Sequence, residues 1–309
     1  MTAKLTLFLG CVLLLFGCAD RNASDNSRLA GGIVLGEPVE NDAFIAQHTV
    51  MLAFNYEYND NQVNFFGVCT GTVVDERTIL TAAHCLEDGI KNIKVLYSAD
   101  PRKNLDIETD VYTIIDKKIH TNYIAKDALK KSLEGLSSDN DRARALTRSS
   151  DIALAYLDRP LKMNIPFSAV AYKKPLDINR ENSTTQITIV GYGRTSSLKN
   201  DNEKSFDQLN GVLQKAELSV DTSQFSHTGF FLRQWSTPGI CKGDSGGPVF
   251  TKDSNGDLRV VALAVTVYSF NNKAERALDP DKEYTTCASH GLYLNIEQYK
   301  PWIAKNIYR

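Results

Sequence analysis

The sequence has no surplus of either charge. Its 35 Lys and Arg stand against 37 Asp and Glu, a formal net charge of −2. Chains that bind nucleic acid carry a basic excess to neutralise phosphates, so that class of partner is excluded. Runs such as Lys130-Lys131 and Asp139–Arg144 read as solvated surface. Beyond the N-terminus no apolar stretch approaches the ~20 residues that a membrane-spanning helix needs. There is no internal repeat. No close-spaced Cys-x-x-Cys or His-x-x-x-His pair favours a zinc site, and neither metal nor cofactor is expected. What is present is ample apolar content, 42% over 309 residues, enough for one large domain or two small ones.

One apolar run does occur, at the start. In MTAKLTLFLGCVLLLFGCAD the single positive residue Lys4 precedes Leu5–Phe16, the layout of a signal peptide. Residues 1–18 are assigned to it. The chain is therefore expected to be exported, into a compartment where disulfides persist. Residues 19–32 are polar and end in two glycines, and read as a disordered linker or propeptide. Of six cysteines, Cys11 and Cys18 lie in the signal or at its edge. Cys69, Cys85, Cys241 and Cys287 remain. An even number in an exported chain points to two disulfides, with three possible pairings.

From Ile33 onward short β-rich runs alternate with turn residues. Strands are expected at Thr49–Phe54, Gly67–Val74, Ile93–Tyr97, Val111–Ile115, Ile152–Leu157, Ile187–Val190, Val212–Val220, Leu258–Tyr268 and Leu292–Ile296. Many short strands separated by Gly, Asn and Asp predict a sandwich or barrel. Two segments read as helical. Ala125–Leu136 has apolar residues at helical spacing, and the segment after Asn295 puts Ile296, Tyr299, Trp302 and Ile303 on one face. Asp158–Phe167 reads as an extended connector between two halves.

Three stretches carry chemistry. In CKGDSGGPVF, Ser245 sits among glycines that permit close backbone approach, so its hydroxyl is displayed. The same residues also make an ordinary turn. A serine hydroxyl is a weak nucleophile and needs a base, usually His, oriented by a third group. In TILTAAHCLED, His84 follows an apolar strand and two alanines, whose small size leaves its ring room in a cleft. In SSDIALAYLDRP, Asp151 heads an apolar run, either as a buried orienter or as a cap on its own turn.

LTAAHC, DIAL and GDSGGP, in that order, resemble the chymotrypsin-like (trypsin-like) serine endopeptidases. The order His, Asp, Ser separates that family from other serine hydrolases. The likeness runs from Ile33 almost to the end. GYGRT at Gly191 is similar to a motif of the family's second barrel, and YKPWI at Tyr299 to its terminal helix. The resemblance implies an all-β fold of two six-stranded antiparallel Greek-key β-barrels with the active site between them and a C-terminal α-helix. The domain would span 33–309, with barrel one about 33–158, barrel two about 168–294 and the helix about 295–306. It implies hydrolysis of peptide bonds in protein or peptide substrates through an acyl-enzyme. The triad would be His84, Asp151 and Ser245, and the oxyanion hole the N–H groups of Gly243 and Ser245. Thr266 would support Asp151. Cys69 would pair with Cys85, and Cys241 with Cys287. The alternative is a catalytically silent relative that binds partners through the same fold.

The substrate pocket departs from the tryptic pattern. Where tryptic members carry an Asp stands Gly239, so Lys or Arg would find no partner. Thr266, Val267 and Tyr268 replace Ser-Trp-Gly on the second wall, and Tyr268 is expected to intrude. The third wall keeps Gly291. Small or medium apolar residues are the expected specificity. Long loops at Ile124–Ser150 and Ser269–Thr286 are expected to border the cleft.

IVLGEPV, from Ile33, resembles the terminus that family members expose on activation. It implies cleavage between Gly32 and Ile33 by an unidentified protease, the new ammonium inserting beside Asp244. LFGC, Leu15–Cys18, resembles a bacterial lipobox, which would make Cys18 a lipidated membrane tether, with signal cleavage after Ala19 as the competing expectation. On the lipidated reading, activation would release the domain from its anchor.

Overall fold

The computed structural model describes residues 33–307 apart from 42, 56, 60–61, 65–66, 104, 164–183, 196–210, 222–225, 236 and 270–285. The signal and linker with Cys18, and most of the Ser269–Thr286 loop, lie outside the described residues.

Along the first half run β1 (Glu37–Pro38), α1 (Phe44–Gln47), β2 (Thr49–Phe54), β3 (Glu57–Asn59), β4 (Gln62–Asn64), β5 (Gly67–Asp75), β6 (Thr78–Thr81), β7 (Lys94–Leu96), α2 (Ile107–Asp110), β8 (Val111–Ile119), α3 (Lys126–Glu134), α4 (Asp139–Arg148) and β9 (Ala153–Leu157). The second half contributes β10 (Thr184–Gly191), β11 (Gln214–Asp221), β12 (Gly229–Arg233), β13 (Pro248–Lys252), β14 (Leu258–Tyr268), β15 (His290–Asn295) and α5 (Lys300–Asn306). Six strands close an antiparallel barrel in the order β2-β5-β6-β9-β8-β7. Seven form a second antiparallel sheet, β1-β11-β10-β13-β14-β15-β12, which is half-barrel in form and open among the described residues.

Strand periodicity explains how two barrels share one core. Successive side chains of a strand point to opposite faces. Along β2, Val50 and Leu52 fill the first barrel while Met51 and Ala53 enter a layer shared with the second sheet. Along β9, Ala153, Ala155 and Leu157 face the barrel interior, and Leu154 and Tyr156 face the shared layer. From the other side β13 sends Val249 into its own sheet's core and Phe250 into the shared layer. Both faces of these strands are apolar because both are buried, which is why their sequences read as runs.

Three expectations change. Residues 33–38, counted with barrel one on sequence, belong to the second sheet, where Glu37 pairs with Lys215 and Pro38 with Gln214. The charge run from Asp139 is solvated as expected, but it forms a helix that was not foreseen, capped by Ser138, whose hydroxyl accepts from the Asp141 N–H. β12 was not foreseen; it pairs along its whole length with β15. The terminal helix is as expected after a 3-10 turn at Ile296–Tyr299. It packs back on the first barrel, where the Tyr156 hydroxyl donates to the Asn306 carbonyl at 2.6 Å.

Leu154 is fully buried in the shared layer. Leu154→Ala is expected to cost about 2–5 kcal/mol in urea denaturation. Lys130→Ala, on the exposed side of α3, should stay within about 0.5 kcal/mol of wild type.

Candidate active site

β6 ends in a 3-10 turn, Ala83–Leu86, that carries His84. Asp151 stands between α4 and β9. The two meet through two hydrogen bonds. The His84 backbone N–H donates to Asp151 Oδ1 at 2.9 Å, and His84 Nδ1 is 2.8 Å from Oδ2. A carboxylate at Nδ1 fixes the tautomer that leaves Nε2 as an acceptor. Burial, the largest single effect, lowers the His84 pKa. The charge and hydrogen bond of Asp151 outweigh it, so the net displacement is upward. A disulfide from Cys69 on β5 to Cys85 braces the turn. Those sulfurs lie close to the His84 ring, but they are bonded to each other and offer a metal no thiolate.

Ser245 comes from the other barrel, on the loop before β13. Gly243 and Gly246 hold φ of 105° and 86°, a region that side chains disfavour, which accounts for glycine at both. Among the described residues the N–H groups of Gly243 and Ser245 donate to no protein group. Two adjacent unspent amides are what an oxyanion requires. The Ser245 carbonyl lies 3.8 Å from Cys85 Sγ, which sets the serine beside the His84 turn. Its hydroxyl donates to the Val265 carbonyl at 2.8 Å and does not bond His84.

The loop is held from the first barrel by two threonines that sequence reasoning missed. Thr70 Oγ1 donates to the Gly243 carbonyl at 2.9 Å and accepts from the Tyr192 N–H at 3.1 Å. The Thr70 N–H donates to the Ser245 carbonyl at 2.8 Å, and Thr72 Oγ1 to that of Gly246 at 3.2 Å. Fixing the carbonyl of Gly243 fixes the plane of the following peptide and hence the course of the loop. Both threonines sit on β5, where a β-branched residue reads as an ordinary strand former.

Asp244 is wholly buried. Its carboxyl accepts from the N–H groups of Cys241 at 2.7 Å and Gly193 at 2.8 Å. Burial nonetheless pushes it up to about 7. Ile33 is also fully buried, in the core of the second sheet. Val34 pairs with Gly239 through two backbone bonds of 2.9 and 3.2 Å.

The expected pocket residues fall together. Val267 on β14 is the direct partner of Gly291 on β15, and Thr266 and Tyr268 flank it. Cys241 and Cys287 form the second disulfide, joining the nucleophile loop to the third wall. The hydroxyl of Thr266 donates to the Val267 carbonyl at 3.4 Å and makes no bond to Asp151, against expectation; two contacts from His84 occupy that carboxylate instead. Gln234, just past β12, was not foreseen at all and lies between Gly239 and Gly291.

A profile of the trypsin family matches residues 41–303. The chain belongs to the trypsin family. Trypsin eta of Drosophila melanogaster is 24% identical over 308 residues, covering 98% of this chain and 97% of its own. The CLIP domain-containing serine protease B4 of Anopheles gambiae is 26% identical, over 91% of this chain and 72% of its own. Serine protease SSP1 of Scolopendra subspinipes is 23% identical, over 78% and 73%. These relatives are animal proteins and lend no support to a bacterial-type lipid anchor at Cys18.

In this trypsin-family chain the 124–150 insertion roots beside His84. Glu87, just after the His84 turn, accepts from the Tyr123 hydroxyl and from the Lys126 N–H. The Ile124 N–H donates to Ser149 Oγ at 3.1 Å, closing the base of the insertion. Its two helices thus start and end next to the His84 turn and Asp151.

Thr70→Val keeps the shape of the side chain and removes its hydroxyl, leaving the Gly243 carbonyl and Tyr192 N–H without their partner. We expect kcat on a peptide substrate to fall roughly tenfold, with KM within about twofold, as one misaligned oxyanion donor would give. An unchanged kcat would show that the threonine serves packing alone.

Proposed function

We propose that the chain is an exported serine endopeptidase working through an acyl-enzyme. Ser245 attacks the scissile carbonyl while His84 takes its proton at Nε2. Asp151 holds the imidazole's tautomer and stabilises the imidazolium. The N–H groups of Gly243 and Ser245 receive the oxyanion. His84 then protonates the leaving amine, and water, deprotonated by the same ring, releases the acyl group. The observation that carries this reading is the doubly hydrogen-bonded His84–Asp151 pair beside a loop with two unspent amides. On this reading the Ser245 hydroxyl leaves the Val265 carbonyl for His84 when substrate binds.

That resting hydroxyl bond favours a second reading, a catalytically silent homologue. One experiment separates them. A fluorophosphonate should label wild type at Ser245, and Ser245→Ala should lose label and several orders of magnitude of peptidase rate without unfolding. Because only neutral His84 accepts the proton, kcat/KM should fall about tenfold per pH unit below a midpoint that lies above 6.5. A folded wild type that is cut between Gly32 and Ile33 and still takes no label would establish the silent reading.

Specificity is proposed to be non-tryptic, for small or medium apolar residues before the scissile bond, with Gly239, Thr266, Val267, Tyr268 and Gly291 about the pocket. The absence of any acidic side chain at Gly239 supports it. We also infer a zymogen cut between Gly32 and Ile33. Support comes from the buried position of Ile33, the Val34–Gly239 bridge, and a wholly buried Asp244 carboxyl that a cation would return to its ionised form. N-terminal sequencing of active enzyme should read from Ile33. Active enzyme retaining residues 19–32 would refute the activation step, and its recovery in membranes through Cys18 would revive the lipid tether.

A further inference from the structure

We propose that Gln234 is the floor of the substrate pocket and sets the size and charge of the side chain accepted there, a reading that rests on the peptidase function above. The argument begins with space. A Cβ on Gly239 would lie 2.2 Å from Gln234 Cδ and 2.5 Å from Cγ. A Cβ on Gly291 would lie 2.3 Å from Gln234 Oε1. Two glycines on two different walls therefore give their side-chain room to the same glutamine. The acid of a tryptic pocket, built from position 239, would have to occupy the volume Gln234 already fills.

Hydrogen bonding holds the side chain in that place. Nε2 donates to the carbonyls of Ile240 at 2.8 Å and Cys287 at 2.9 Å, and Oε1 accepts from the Ile240 N–H at 2.9 Å. The Gln234 N–H donates to the Ser289 carbonyl at 2.8 Å. The amide thus ties the wall that carries Gly239 to the wall that carries Gly291, and only 3% of the residue is exposed. Both of its side-chain donors are spent. Its chemistry is also specified: a glutamate would turn oxygens toward two carbonyls.

The consequences for substrate follow. A Lys or Arg side chain entering the pocket meets a neutral floor and leaves its hydration behind without a countercharge. A long apolar side chain meets atoms where tryptic pockets are open. Small uncharged residues, Ala and Val, fit.

The test measures kcat/KM for peptides differing only before the scissile bond (Ala, Val, Leu, Phe, Arg), with active sites counted by fluorophosphonate titration. Wild type should prefer Ala and Val over Phe by at least tenfold. Gln234→Ala should raise the Leu:Ala and Phe:Ala ratios at least tenfold while still titrating. Gln234→Met keeps the volume and loses the hydrogen bonds, so it should keep the wild-type ratios at a lower Tm. If Gln234→Ala yields no titratable enzyme, Gln234→Asn, one methylene shorter, should move the preference from Val to Leu. Ratios within twofold of wild type in the titratable Gln234→Ala or Gln234→Asn enzyme overturn the proposal alone, as does a wild type that prefers Phe or Arg. A wild type cut at Gly32–Ile33 that neither labels nor cleaves defeats the peptidase reading and this one with it.

Discussion

Everything at the site depends on a seam of hydrogen bonds between two barrels. His84 and Asp151 ride on the first, Ser245 and the amides of Gly243 and Ser245 on the second. Thr70 and Thr72 on β5 reach across to the carbonyls of Gly243, Ser245 and Gly246. Each such bond contributes only about 1 kcal/mol net. Their weight is geometric, since misplacement of a reacting group by about 1 Å costs far more rate than that energy suggests. Tyr192 joins the same seam from the other side, its N–H on Thr70 and its hydroxyl on the Ser98 carbonyl.

The proposed pocket floor and the proposed activation segment are neighbours in the structure. Val34 pairs with Gly239, and Gly239 lies against Gln234, whose amide holds Ile240 on both sides of its peptide. Cys241 follows, and its N–H meets the carboxyl of Asp244. A short stretch of chain thus links the buried segment after Ile33 to the residue preceding the nucleophile. On the two proposals taken together, seating of the segment would act on the pocket through this stretch.

The sequence disclosed what is local and hid what is long-range. His84, Asp151 and Ser245 were legible because each sits in a tight local context whose small or turn-forming neighbours serve it. The β-rich organisation was legible because strands buried on both faces read as apolar runs. Thr70 was not, because its partner is 173 residues away and its type suits any strand. Gln234 was not, because a polar residue at a strand end looks solvated until Gly239 and Gly291 close on it. Helix α4 carried a readable sign in Ser138, whose hydroxyl accepts from the Asp141 N–H and donates to the Asp141 carboxylate, but its many charges concealed it.

Each of the two disulfides stays within one half of the molecule: Cys69 with Cys85 in the first barrel, Cys241 with Cys287 in the second. In the chain-entropy picture each stabilises its own half by about 3–4 kcal/mol. Among the described residues no cross-link spans the seam. Oxidative bracing therefore hardens the halves and leaves their alignment to the shared apolar layer and a few hydrogen bonds. Heat or denaturant that parts the seam is therefore opposed by neither disulfide.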